Sequence, residues 1–298
     1  MAAKRSNLQC FLDSVTPAVE PHFLSEGEEN SVKCFILSDL WESLYEWSVY
    51  GVGTDVVLPN DETVVQYFVP HLSAIQLYTN KKFLATSRSL GSHNQMCWYA
   101  SEYHKKELSP SCSTFSNDVI FTKEDLENAT KNLGYKYFEY FEMSPSNIRM
   151  PLVDKVRELA QNFPDLDSLK SIELSPASWM SIYWYPIYMI PAQFDIENYD
   201  ACFLTYHSLS SSFQVAGIHE TFNPISKLSN STSMKENDKN MTISLPPFGL
   251  ATLKAKGALW NNPETGDSAL AASLRSAAGS WIQHVQAHHH DFDFFTNH

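Results

Sequence analysis

The apolar residues of this chain follow two patterns, one with the period of a strand and one with the period of a helix. Val64 to Tyr78 (VVQYFVPHLSAIQLY) is β-branched and aromatic, which predicts one or two strands interrupted at Pro70. Ser178 to Pro191 (SWMSIYWYPIYMIP) and Ala201 to Leu209 (ACFLTYHSL) predict a central strand pair. In Tyr137 to Met143 (YFEYFEM), strand alternation puts Phe138, Tyr140 and Glu142 on one face and Tyr137, Glu139 and Phe141 on the other. Gln95 to Ala100, Leu169 to Leu174 and Phe248 to Trp260 complete the strand set. In the last of these Lys254 and Lys256 alternate against Leu253 and Ala255.

Helical spacing appears elsewhere. Asp39 with Glu42 forms a capping box ahead of Leu40, Leu44 and Trp47, and Gly51 and Gly53 end that helix. Thr122 is an N-cap for a short helix over 123–132, with Gly134 where a C-cap belongs. Pro151 opens a helix whose apolar stripe is Leu152, Val156, Leu159 and Phe163. Asp267 caps a last helix with Leu270, Leu274, Trp281 and Val285 inward. Residues 1–30 read as an irregular lead-in, and 226–241 as a mobile polar loop. Strands and helices do not alternate regularly, and no Pro/Gly-rich linker divides the chain. The expected architecture is therefore a single α+β domain, an antiparallel or mixed sheet with helices packed against it.

Bulk composition narrows the function. At 298 residues with 43% hydrophobic and 18% charged, the chain is too apolar to be disordered and too polar-broken for a membrane protein. No run of about eighteen apolar residues exists to span a membrane. The net charge of −13 argues against nucleic acid as a partner. Cys10, Cys34, Cys97, Cys112 and Cys202 are odd in number and lack CxxC spacing, and Met1 to Ser6 lacks an apolar signal core. Both point to a reducing compartment, cytoplasmic or nuclear. The Asn128, Asn230 and Asn240 triplets then read as chance matches to a glycosylation signal.

Several blocks, in order along most of the chain, resemble the plant family catalogued as domain of unknown function 789. They include SNLQCFLDSVTPAV, DLWESLYEWSVYGVGTDVVL and VVQYFVPHLSAIQLY. Further on come YFEYFEMSPSNIRMPLVDKVRELA, SWMSIYWYPIYMIP, DACFLTYHSLS, PPFGLATLKAKGALW and HHHDFDFF. The resemblance implies a plant origin and a shared fold, and it implies no catalytic residue. This chain departs from the family's WYPIYRIP pattern by carrying Met189 in place of the Arg. It also has Ile182-Tyr183-Trp184 in place of V-A-W.

Candidate chemistry follows by elimination and by burial. No G-x-S-x-G elbow, Walker motif or dinucleotide fingerprint occurs, so no nucleotide or redox cofactor is implied. The consecutive His288, His289 and His290 lack the spacing of a facial metal cluster and read as a surface tail with its Phe residues docked. Glu139 and Glu142 sit among aromatics, with Arg149 as the expected ion-pair partner of Glu142. His207 shares a face with Thr205 while Tyr206 takes the other. Tyr183, Tyr185 and Ile187 share one face of the neighbouring strand, and Trp184, Pro186 and Tyr188 share the other. If the two strands pair, His207 faces a wall of phenols. His71 follows Pro70 at the strand break.

Two functions follow from this set. The first is a cofactor-independent isomerase, cyclase or lyase acting on an apolar plant small molecule. His207 would be its base, Tyr185 or Tyr183 its acid, and Glu142 the residue that tunes them. Trp184, Tyr188, Met189, Tyr206, Arg149, Glu139 and His71 would surround the substrate. The second is a non-catalytic ligand-binding or scaffold protein. A solid core around Trp184 and His207 favours the second.

Overall fold

The structure, a computed structural model, describes residues 5–25, 31–79, 133–192, 200–211, 242–255, 259–262 and 265–298. The elements expected at Gln95–Ala100, 123–132 and 226–241 lie outside these. In chain order the first elements are α1 (Asn7–Ser14), β1 (Ala18–Val19), β2 (His22–Ser25), β3 (Ser31–Cys34), α2 (Leu37–Ser43) and α3 (Tyr45–Tyr50). Then come β4 (Val52–Val57), β5 (Thr63–Thr79), β6 (Tyr135–Phe141), α4 (Leu152–Ala160), α5 (Asp165–Ser168) and β7 (Trp179–Ile190). The chain closes with β8 (Cys202–Ser208), β9 (Ile243–Ser244), β10 (Gly249–Leu253), α6 (Asp267–His284) and α7 (His290–Asn297).

The sheet is built on β5. Its 17 residues are too long for one neighbour on each side. On one side β4 pairs with Thr63–Phe68 and β6 with Ala74–Thr79, while β7 runs along the other. The order β10-β8-β7-β5-β4, with β6 also on β5, is antiparallel throughout. The fold is thus the expected α+β arrangement.

Pro70 does not break β5. Shifts in the pairing with β7 fall on either side of it, between Tyr67 and Phe68 and between Leu72 and Ala74. These irregularities let a strand absorb a residue with no N–H. The first shift also overturns the expected alternation in β7. Tyr67 faces Tyr188 and Phe68 faces Pro186, leaving Ile187 as the extra residue. Tyr188 therefore leaves the face of Trp184, and Met189 packs against the core in its place.

One sheet face buries Met180, Ile182, Trp184, Phe203 and Phe68 under α1, α2 and α4. Phe11 of α1 stacks on Phe203 with ring centroids 4.0 Å apart. The other face buries Trp179, Tyr183, Leu204 and Tyr206 under α6 and α7. α6 lies so close to β10 that a Cβ on Gly249 would sit 3.0 Å from the Ala278 Cβ and 3.1 Å from its Cα. Gly249→Val should therefore lower stability by about 2 kcal/mol, read from urea unfolding. An unchanged midpoint would mean that the helix rides freely on the strand.

Four local expectations are corrected. Residues 1–30 contain a helix, because the Ser6 side chain accepts from Gln9 N–H while Leu8, Phe11 and Leu12 share one stripe. The helix expected from Asp39 starts at Leu37 and breaks at Leu44; Asp39 caps from inside by accepting the Ile36 N–H. Gly51, at φ +82°, ends the second piece as expected. Leu169–Leu174 is a turn that carries two isolated bridges, Ile36–Lys170 and Thr79–Leu174, instead of a strand. The histidine tail docks a Phe residue, Phe295, as expected and leaves His288 and His290 exposed, but His289 at the α7 N-cap and Asp291 in its first turn are buried.

Candidate functional site

His207 and its expected acid partners lie on opposite faces of the sheet. β7 and β8 pair as expected, with Met180 opposite His207 and Tyr183 opposite Leu204. Alternation then puts His207 with Thr205 and Trp184 on the α1 face, while Tyr183 joins Leu204 on the α6 face.

His207 is fully buried and its ring is satisfied at both nitrogens. Nδ1 lies 2.8 Å from the Leu245 carbonyl, which only accepts, so Nδ1 carries the proton. Nε2 then accepts from Thr205 Oγ1 at 2.8 Å, and that oxygen accepts the Trp184 indole N–H at 2.8 Å. Burial pushes the imidazole pKa down to about 4, with the bond to Leu245 opposing. Trp184 and His207 therefore form a solid core.

Glu142, Arg149, His71 and Tyr183 do gather on the α7 side, but as a structural cluster. Glu142 does not pair directly with Arg149. Its carboxylate accepts the Tyr140 hydroxyl at 2.7 Å and the backbone N–H groups of Met143 and Ser144. Burial pushes Glu142 up, yet these bonds outweigh it and hold the group below its usual value. Arg149 instead makes a bidentate pair with Asp291, at 2.7 Å on both arms. Ser73 Oγ donates to the same carboxylate, Arg149 Nε donates to the Ser144 carbonyl, and the guanidinium lies 4.9 Å over the Tyr183 ring. His71 donates from Nδ1 to the Met150 carbonyl at 2.9 Å, and burial lowers its pKa.

Ser181 and His289 lie 2.7 Å apart, the spacing of a nucleophile and its base. The tautomer is wrong for that chemistry. His289 Nδ1 accepts the Phe292 N–H, so a neutral ring carries its proton on Nε2 and donates to Ser181 Oγ. Both groups are also sealed under α7.

Of the remaining expected residues, Glu139 is half-exposed and bonded to Gln76 and Lys136. Tyr206 is buried against Trp179 and His289. Tyr188 stacks on Tyr67 at 4.6 Å. Among the described residues, no helix is long and apolar enough to cross a membrane, and no three His, Cys, Asp or Glu side chains form a metal-holding group.

A cleft of about 550 Å³ opens beside the start of β8. The last β7–β8 pair is Trp184 with Phe203, while β7 runs on to Ile190. Tyr183, Tyr185 and Ile187 from that extension, with Leu253 and Phe294, form the apolar walls. Gln66, Ser146, Cys202 and the Asp200–Lys254 ion pair supply polar groups. Cys202 Sγ donates to the Asp200 carbonyl, and burial pushes the Tyr183 phenol and the Cys202 thiol above their ordinary pKa values. Tyr183 and Tyr185 were expected at a site. Gln66, Cys202, Asp200, Lys254 and Phe294 were missed, since they meet only through the pairing register.

The fold and site define an α+β protein with a six-stranded antiparallel sheet, helices on both of its faces and an aromatic cleft at a strand end. The profile of a family described as protein of unknown function (DUF789) matches residues 6–295, and the chain belongs to that family. Nothing among the curated proteins or the solved structures matches it.

Proposed function

We propose that the protein is a non-catalytic binding protein that holds a small apolar molecule in the cleft beside Tyr185. The observation that carries this reading is the contrast between two regions. The expected base, His207, is bonded into the core, whereas the cleft combines aromatic and aliphatic walls with polar groups and has a volume within the usual range for small-molecule sites. Tyr185 is 38% exposed, so the wall is reachable.

An isomerase-, cyclase- or lyase-type reaction is the weaker reading. It needs a base in the cleft, and there Lys254 and Asp200 are engaged with each other while the Tyr183 and Cys202 protons are held tightly. The unpaired thiols of Cys10, Cys34 and Cys202 support a reducing compartment such as the cytoplasm. A fluorescent fusion found in the secretory pathway would count against that location.

The test is a calorimetric and ligand-observed NMR screen of small planar molecules against the full chain. Hits should compete for one site, disappear in Tyr185→Arg, and be recovered chemically unchanged. Hits that survive Tyr185→Arg would move the site elsewhere, and turnover of a hit would overturn the non-catalytic reading.

A further inference from the structure

One side of the cleft belongs to α7, and α7 is capped by a histidine. Phe294 of α7 lines the cleft, and Phe295 packs edge-on against the ring of Tyr183, another cleft wall, with centroids 5.3 Å apart. At the N-cap, His289 Nδ1 accepts the Phe292 N–H at 3.2 Å, and Nε2 donates to Ser181 Oγ of β7 at 2.7 Å. The ring is buried between Trp179 of β7, Tyr206 of β8 and Phe141 of β6.

This cap works only while the ring is neutral. A protonated imidazole donates from both nitrogens and accepts at neither. A proton on Nδ1 therefore removes the acceptor for the Phe292 N–H and sets two donors against each other in a buried place. The charged and titratable groups around the ring are Asp291 and His290 of α7, Arg149 ahead of α4 and Tyr206 of β8. Asp293 acts on Tyr206, and His71 of β5 and Glu142 just past β6 interact with Arg149. Asp291, the group that favours a cation here, is already engaged by Arg149 on both oxygens. Burial lowers the His289 pKa to about 4. We infer that α7 is a proton-sensitive lid on the cleft, docked while His289 is neutral and loosened, with its Phe294 wall, when that ring takes a proton. This regulation rests on the proposed binding function, and the coupling is reciprocal: a ligand held against Phe294 keeps α7 down.

Hydrogen exchange of the α7 amides in the full chain, corrected for intrinsic rates, is the test. These amides should exchange faster than those of β7, by local opening. Between pH 7 and pH 5 that opening should rise about twentyfold, from an ordinary value of 6.5 and a docked value of about 4. His289→Asn keeps an acceptor for the Phe292 N–H but takes no proton, so the rise should vanish. Should that variant be open already at pH 7, nitrogen-15 resonances of the wild-type ring decide: Nδ1 should be bare at pH 7 and gain its proton as α7 protection is lost. Protection that is equal at the two pH values, that falls equally in His289→Asn, or that follows β7 overturns the lid, as does a proton on Nδ1 at pH 7. Naphthol, as a planar probe, should slow α7 exchange at pH 7. Binding without slowing overturns the lid and leaves the binding function standing. No binding of naphthol, or of any planar fragment, overturns both.

Discussion

Arg149→Met should destabilise the protein by about 3–5 kcal/mol at neutral pH, and combining it with Asp291→Leu should recover most of that loss. The pair is almost wholly buried, with side-chain exposures of 3% and 4%. Burial alone would lower the Arg149 pKa, but the bonds to Asp291 more than reverse it. Removing the guanidinium leaves a buried carboxylate held by Ser73 Oγ and the first turn of α7, with the half-exposed His290 Nδ1 3.7 Å away. An uncompensated buried charge is what makes the single change severe. Two apolar side chains leave no charge, so the double variant loses mainly the docking geometry of α7. Urea unfolding of the two single variants and the double variant measures this. A single-variant loss below about 1 kcal/mol, or a double variant no better than the worse single, would show that the pair is not truly desolvated.

Acid should weaken the fold well above the pH at which carboxylates protonate. Burial holds both His207 and His289 down to about 4 from an ordinary value of 6.5. For His289, Asp291 opposes that shift while Arg149 and His290 add to it. A histidine whose folded pKa is depressed binds more protons when unfolded. Stability is then full above about 6.5 and is lost as pH falls toward 4. By pH 5 each residue should cost about 2 kcal/mol. His71, lowered in the same direction, adds to the trend. Chemical unfolding between pH 7 and pH 4.5 gives the slope. His289→Gln, which still donates to Ser181, should remove roughly half of it. Stability that does not change between pH 7 and pH 5 would mean that water reaches these rings.

The legible part of the protein lay where local pattern and burial coincide. β7, β8, α4 and α6 were readable because each carries a period that its own residues dictate, and Gly51 was readable because a positive φ is its natural conformation. α1 was overlooked although Ser6 and Gln9 form its start signal. The beginning of α2 was misplaced because Asp39 caps from the third helical position. Even the pairing of β7 with β8 was foreseen, and so was the company of Thr205 and His207.

The candidate site was less legible. Its residues are joined by contacts that no short window contains. Arg149 chooses Asp291, 142 positions away, over Glu142 close by. That choice depends on α7 folding back over the sheet, which turns an apparent tail into a buried anchor. The faces of Tyr188 and Met189 depend on one shift in register near Ile187, and a period-two pattern inverts at any such shift. The cleft lies where β7 runs on past the start of β8, so Cys202 and Lys254 meet there through pairing alone. Sequence by itself determined which segments become strands and helices and which of their sides are apolar, since those follow from backbone geometry within a few residues. Tertiary structure decided which ionisable groups are locked in the core and which face the cleft, because register and long-range docking set every distance between them.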